Sequence, residues 1–211
     1  MRPKKNQVEV SDRPGSRRSA ITEASLELFA TRGYRETTMA DIGERVGIRG
    51  PSLYKHVSSK QELLAEIMVA SMNQLLANHK AAIETTTDIR EQLRRAVEAH
   101  ARYRARHRYE AFLGTREVEN LEEPDHTLFV RRRAKYEQGF RELIESGRQQ
   151  GIFEVESPTV ASMAILDMGI GLSVWYSPNG PLTVDEIAYV HGDIALRIVG
   201  CRTSELAPER R

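Results

Sequence analysis

Apolar positions recur at helical spacing along most of the chain. Over residues 17–33, Ile21, Ala24 and Leu28 share one face, with Leu26 and Phe29 beside it, and Gly33 ends the run. Met39, Ile42 and Val46 then repeat three and four apart, and Thr37 or Thr38 can cap that helix with Asp41 in its first turn. Gly47 comes next, where a left-handed C-cap residue is wanted and a side chain would clash. Pro51 suits a first helical turn, because the N–H it lacks would be unpaired there. Leu53 and Val57 give this second short helix an apolar face. Its other face carries Arg49, Ser52, Tyr54, Lys55 and His56. Two short helices about a tight turn, the second polar, cationic and aromatic outside, form a helix-turn-helix suited to the DNA major groove.

Ser59 and Glu62 have the spacing of a capping box and open a long helix through Leu63, Leu64, Ile67, Met68, Ser71, Met72, Leu75 and Leu76, ending near Ala82. After a break at 84–88, with Thr87 or Asp88 as the next cap, residues 89–108 predict an arginine-rich helix with Ile89, Leu93, Val97 and His100 on one side. Gly114 and then residues 122–124 interrupt the next stretch, so 109–121 predicts one or two short helices. Asp125 starts a long helix through Leu128, Phe129, Tyr136, Phe140, Leu143 and Ile144 to 147–151. Ser157 and Pro158 open a strongly apolar helix to Tyr176, the cluster at 177–181 is a turn, and Thr183 with Glu186 caps a last helix to about Gly200. No strand pattern and no internal repeat emerge. The expected fold is all-α, with about nine helices. Residues 1–16 form a flexible basic arm and 17–60 a three-helix DNA-binding head. Residues 61–202 form a helical bundle for ligand binding and dimerisation, and 203–211 a tail.

Charge sharpens this division. Formal net charge is only +1, but residues 1–60 hold 12 Lys and Arg against 7 Asp and Glu, while the remainder holds 19 against 23. A basic front and a mildly acidic body suit a DNA-binding head on a neutral sensor. The single cysteine, Cys201, rules out an internal disulfide framework. No signal-peptide pattern and no run of ~18 uninterrupted apolar residues occur. A cytoplasmic protein away from the membrane is expected.

Residues 38–64 resemble the TetR family of bacterial transcriptional regulators. The features stand in the same order: a threonine, a short helix with Ile42, the turn glycine, then Ser52-Leu53-Tyr54-Lys55-His56 and Ser59-Lys60-Gln61-Glu62-Leu63. With the first helix, the match spans about 17–66. Val57 stands where the family usually has phenylalanine, and Gly43 and Val46 where it has alanine. The resemblance implies a two-fold dimer whose heads read half-sites ~34–36 Å apart, or at a related spacing set by the dimer. It also implies a C-terminal bundle that binds a small effector. Effector and operator must then weaken each other equally.

Within the head, Arg49 can pair bidentately with guanine or meet a phosphate. Tyr54 can touch a thymine methyl or a phosphate, or simply pack. Ser52 lies on the same outer face. Lys55 and His56 suit phosphates, which position without reading sequence. Thr38 can offer its hydroxyl and N–H to a phosphate as well as capping, and Lys60 resembles the family's phosphate-binding lysine. The arm can reach DNA or serve as a solubilising tail.

In the body, Asp167 is the lone ionisable residue of its apolar helix. It can line a pocket or pair with Arg102, Arg104 or Arg108. Tyr103, His107, Phe112, Tyr136, Met168 and Trp175 are further ligand-lining candidates, with core packing as the alternative. His100 and His107 lie seven apart, but no third ligand stands at short spacing, so no metal and no cofactor are assigned. Residues 175–183 resemble TetR regulators of fatty-acid or steroid catabolism. That implies an acyl-CoA effector whose phosphates Arg102, Arg104, Arg106, Arg108, Arg131, Arg132 and Arg133 could meet.

Ala161, Ala164, Gly169, Gly171, Ala188 and Ala195, beside Ile165, Leu172, Ile187, Ile194 and Ile198, suggest a four-helix homodimer interface through 158–176 and 183–200, or else close packing within one subunit. An enzyme built on His100, His107 and Asp167 would lack an activated nucleophile, and a helical adaptor would leave the cationic short helix unexplained.

Overall fold

The computed structural model describes residues 14–48 and 50–201, so Arg49, nearly all of the basic arm and the 203–211 tail lie outside the described residues. Among the described residues every regular element is helical. They are α1 (Pro14–Arg32), α2 (Met39–Arg45), α3 (Gly50–Leu53), α4 (Lys60–Ile83), α5 (Ile89–Arg106), α6 (Arg108–Arg116), α7 (Asp125–Gln149), α8 (Pro158–Trp175) and α9 (Val184–Ile198), with a 3-10 turn at Val118–Asn120. The first helix starts three residues earlier than its apolar pattern does. Gly114 lies inside α6 and does not interrupt it.

The caps explain most boundaries. Thr38 accepts from the Asp41 N–H while the Asp41 carboxylate takes the Thr38 N–H, a complete capping box. Thr183 and Glu186 repeat it at α9, and Ser157 with Pro158 opens α8. At α4 the box is only half formed: Ser59 accepts from the Glu62 N–H at 3.0 Å, but the Glu62 carboxylate turns to the N–H and hydroxyl of Ser58.

Helix α5 is the centre of the body, packed by α4, α7, α8 and α9. Its contact with α9 is close because Ala188, Gly192 and Ala195 fall on one face; a Cβ on Gly192 would stand 3.0 Å from Arg94 Cγ. This corrects part of the dimer expectation. Ala161, Ile165, Leu172, Ile187, Ala188 and Ala195 are buried within the subunit.

Of the expected interface residues Ala164 and Ile198 stay exposed, and the other uncovered apolar residues are Val160, Met163, Val174 and Trp175 on α8 and Tyr189 and Val190 on α9. Helix α8 is long and apolar enough to cross a membrane, yet its other face packs on α5, α6 and α7.

One apolar core runs without a break from Ile21, Phe29, Ile42, Leu53 and Val57, along Leu63, Leu64, Met68 and Leu75 of α4, into Leu93, Phe129 and Phe140. Helix α4 therefore belongs to head and body alike.

Candidate functional site

In the head, α2 and α3 are locked by a turn. Gly47 sits at φ +69°, and the Ile48 N–H donates to the Gly43 carbonyl at 2.8 Å. A Cβ on Gly43 would stand 2.7 Å from the Ile48 carbonyl oxygen. The departure from alanine at this position therefore matches a turn too tight for a methyl group. Only Gly50–Leu53 is regular helix, but backbone bonds from Lys55, His56 and Val57 back to Ser52 and Leu53 continue the coil. Leu53 and Val57 are buried, while Ser52, Tyr54 and Lys55 are exposed together and His56 is half-buried beside them.

Two residues expected to meet phosphate also make contacts within the head. The Thr38 N–H and hydroxyl both donate to Asp41 Oδ2, at 2.8 and 2.5 Å. Lys60 Nζ donates to the carbonyls of Tyr34 and Thr37, at 2.7 and 2.8 Å, and lies over the Tyr34 ring. Both residues act here as braces of the loop between α1 and α2.

Sequence reasoning missed a third brace. Arg18 donates to the His56 carbonyl and pairs with Glu62 and Glu66, tying the exit of the recognition segment to α1 and α4. Bonds from Ser58, together with the Arg18 guanidinium, lower the Glu62 carboxyl to about 2 from an ordinary 4.5. A depressed folded-state value means a contribution fully present above the unfolded value and lost as pH falls through the folded one. Glu62→Gln should therefore melt below the parent at neutral pH, with the gap closing between pH 4.5 and about 2. A gap unchanged over that window would refute the assignment. The pairs are about one-third exposed, so solvent screening keeps the gap modest.

In the body, a cavity of about 70 Å³ lies between α4, α5, α6, α7 and α8. Met68, Met72, Phe129, Leu166 and Ile170 make its apolar walls, and Ser71, His100, Arg104, Tyr136 and Asp167 bring polar groups to it. His100 is fully buried. Its Nε2–H faces the Leu166 carbonyl at 3.2 Å, an acceptor only, so Nδ1 accepts from the Tyr136 hydroxyl at 2.8 Å. Burial, and then Arg104, hold its pKa well below the ordinary value, so the ring is neutral; burial likewise pushes the Tyr136 phenol up.

Of the seven ligand candidates only Tyr136 and Asp167 line this space. Tyr103 stands one layer behind, donating to Ser71 Oγ at 3.1 Å. His107 stacks on Tyr103 and bonds Glu110, and Phe112 packs against the core. Met168 does not reach the cavity wall, and Trp175 is exposed at the far end of α8. The salt-bridge reading of Asp167 is also corrected. Asp167 is exposed, Arg102 pairs with Asp185 and Glu98, and Arg108 donates to the Ser173 carbonyl. His100 and Asp167 border the same cavity but His107 does not, and no group of three metal-ligating side chains occurs among the described residues.

Arg104, which sequence offers only as a partner for Asp167 or a phosphate, is instead a buried cavity residue. Its readable signal is position: it continues the buried stripe of Leu93, Val97 and His100.

Cavity and head are linked through α6. Glu110, Gly114 and Thr115 line the cavity, while α6 packs on α1. Just beyond it, Glu117 Oε1 accepts from the Tyr34 N–H and Asn120 Oδ1 from Arg35 Nε, at 3.4 and 2.8 Å.

Comparison with known proteins agrees with this arrangement. Residues 21–67 match the family described as bacterial regulatory proteins, tetR family, and residues 86–199 match the tetracyclin repressor-like C-terminal domain. The transcriptional repressor KstR2 of Mycobacterium tuberculosis is 26% identical over 189 residues, 89% of this chain and 94% of its own. The solved structure of that ketosteroid regulator superposes with a TM-score of 0.81 over 90% of this chain and 97% of that one. The transcriptional activator FasR of Mycolicibacterium smegmatis is 41% identical, but over 83 residues, 39% of this chain and 38% of its own. AibR, solved with isovaleryl coenzyme A and operator DNA, shares the fold at 24% identity and a TM-score of 0.76, over 88% of this chain and all of that one. With a helix-turn-helix bolted to a cavity-bearing bundle, and with family matches over both parts, this chain belongs to the TetR family of ligand-responsive, DNA-binding transcriptional regulators.

Proposed function

We propose that the chain is a cytoplasmic, homodimeric repressor that leaves its operator when a small apolar or acyl-CoA-type effector occupies the cavity. The observation that carries this reading is the span of α6, which lines the cavity and packs on α1. An effector that displaces α6 shifts Glu117 and Asn120, and with them Tyr34 and Arg35 of the head. Half-site spacing then changes, and the operator complex weakens by the differential affinity of the effector for the two arrangements.

In this reading residues 17–60 are the reading head and 61–202 the sensor. Arg49, Ser52, Tyr54, Lys55 and His56 meet the groove, with Thr38 and Lys60 holding the loop behind them. The likeness to the repressor KstR2 over 89% of the chain favours repression, since the activator FasR matches over 39% of it. A cavity of about 70 Å³ is far below the ~300–1,000 Å³ that holds a drug-sized ligand. An acyl group enters only as the walls part, and a nucleotide end stays outside, where Arg106 and Arg131 are exposed.

The test is a mobility-shift assay with DNA upstream of the chain's own gene. Sequence-selective, salt-sensitive binding is expected, reversed by members of an acyl-CoA series that includes isovaleryl-CoA. Binding with no sequence preference would overturn the reading. Lys55→Ala should weaken all sequences alike and reduce the salt slope by about 1, whereas Tyr54→Ala should lower affinity for the operator more than for random DNA. Unchanged operator affinity in both variants would remove the segment 52–56 from the groove.

A further inference from the structure

Arg104 is over nine-tenths buried, its Nε is buried without a hydrogen-bond partner, and no ion pair engages its guanidinium among the described residues. It borders the cavity. Burial opposes its charge, Arg133 opposes it further, and the Tyr136 and Tyr103 hydroxyls near it are held neutral by their own burial. The carboxylates that line the same space do not neutralise it: Glu137 pairs with Arg133 at 2.9 Å, Glu110 bonds His107 at 3.0 Å, and Asp167 is exposed. His100 is neutral and already satisfied. Burying a cation without a counter-ion is costly, and the cost is recovered only when an anion reaches it with matching hydrogen bonds. A planar guanidinium offers parallel donors that fit a carboxylate in particular. The apolar walls, Met68, Met72, Phe129, Leu166 and Ile170, would meanwhile accept a short hydrocarbon body.

We infer that the effector cavity recognises a carboxylate carried on a short apolar body, with Arg104 as the residue that binds the anionic end. This rests on the reading of the cavity as the effector site and narrows its occupant to one whose apolar body carries a free carboxylate, which a plain acyl thioester lacks. An uncharged ester or alcohol of the same length fills the walls but leaves the guanidinium unpaired. The acid should therefore bind more tightly, on the order of tenfold or more, the usual worth of a hydrogen bond to a charged group.

The experiment is calorimetric titration of the full chain with hexanoate, methyl hexanoate and hexan-1-ol, in the parent, Arg104→Met and Ile170→Trp. The expected result is a preference for hexanoate in the parent that disappears in Arg104→Met, with ester binding kept and all binding lost when tryptophan fills the cavity. Arg104→Met should also melt at or above the parent without ligand, because an unpaired buried charge is removed. Equal affinity for acid and ester, or a preference that survives in Arg104→Met, overturns the assignment while the effector cavity stands. A lower melting temperature for Arg104→Met also overturns it, since the guanidinium would then be compensated by the fold. If no probe binds, or if filling the cavity leaves binding unchanged, the cavity reading falls and the inference falls with it.

Discussion

Replacing Gly169 by alanine is expected to destabilise the body by about 2–4 kcal/mol, combining an overpacked core with a strained buried hydrogen bond. A Cβ there would stand 2.1 Å from His100 Cδ2 and 2.4 Å from Nε2. The ring has little room to yield, because Tyr136 holds Nδ1 at 2.8 Å and both Tyr136 and Phe140 pack on it. Helix α8 must then move off α5, or His100 must give up the Leu166 carbonyl and leave a buried donor unpaired. Leu166 and Ile170 flank Gly169 and line the cavity, so either outcome also alters the effector site. Urea unfolding measures the loss. A stability within ~0.5 kcal/mol of the parent would refute the clash. Adding His100→Ala should recover part of the loss, since the obstructing ring is gone; strict additivity would show that the two positions do not press on each other.

Gly169 also shows where the sequence was legible. As one small residue among several on α8, it suggested a dimer contact, and nothing local says that its missing side chain makes room for a histidine 69 positions earlier in the chain. The head was readable because its decisive features are local. Thr38 caps through Asp41, three residues on; Gly47 takes a positive φ two positions past the end of its helix; Leu53 and Val57 share a face four apart. Short-range chemistry of that kind is written in the spacing. The cavity is not, because five helices meet there. Whether Arg104 or Tyr103 faces the void depends on how α5 is turned against α7 and α8. Asp167 misled for a related reason. Apolar neighbours all round it suggested a buried helix, whereas α8 has a core face and an uncovered apolar face, which erases the amphipathic signal.

That uncovered face yields the second large effect. Val160, Met163 and Val174 recur on one stripe of α8 with Asp167 and Gly171 between them, and Val160, Met163, Val174 and the adjacent Trp175 are 65, 56, 80 and 58% exposed. Tyr189, Val190 and Ile198 of α9 are also uncovered. A clustered apolar surface of this kind marks an interaction site, and in the proposed homodimer α8 and α9 of each subunit would cover it. Val174→Asp tests this cleanly. In an isolated subunit the new carboxylate is solvated and the fold unaffected, so the circular dichroism of the variant should match the parent. In the dimer the same carboxylate is buried unpaired, at a cost of about 3–5 kcal/mol. Sedimentation should then show a monomer. Operator affinity should fall on the order of 100-fold or more, because the second head no longer benefits from tethering. A variant that sediments as the parent dimer and binds operator equally well would remove α8 from the interface. Met163 and Asp167 stand on this stripe and also line the cavity, so the face proposed to pair the subunits is also one wall of the proposed effector site. Loss of the dimer should therefore change effector affinity too, measured by calorimetry on the monomeric variant. Unchanged effector affinity there would confine the coupling between cavity and operator to the α6 route.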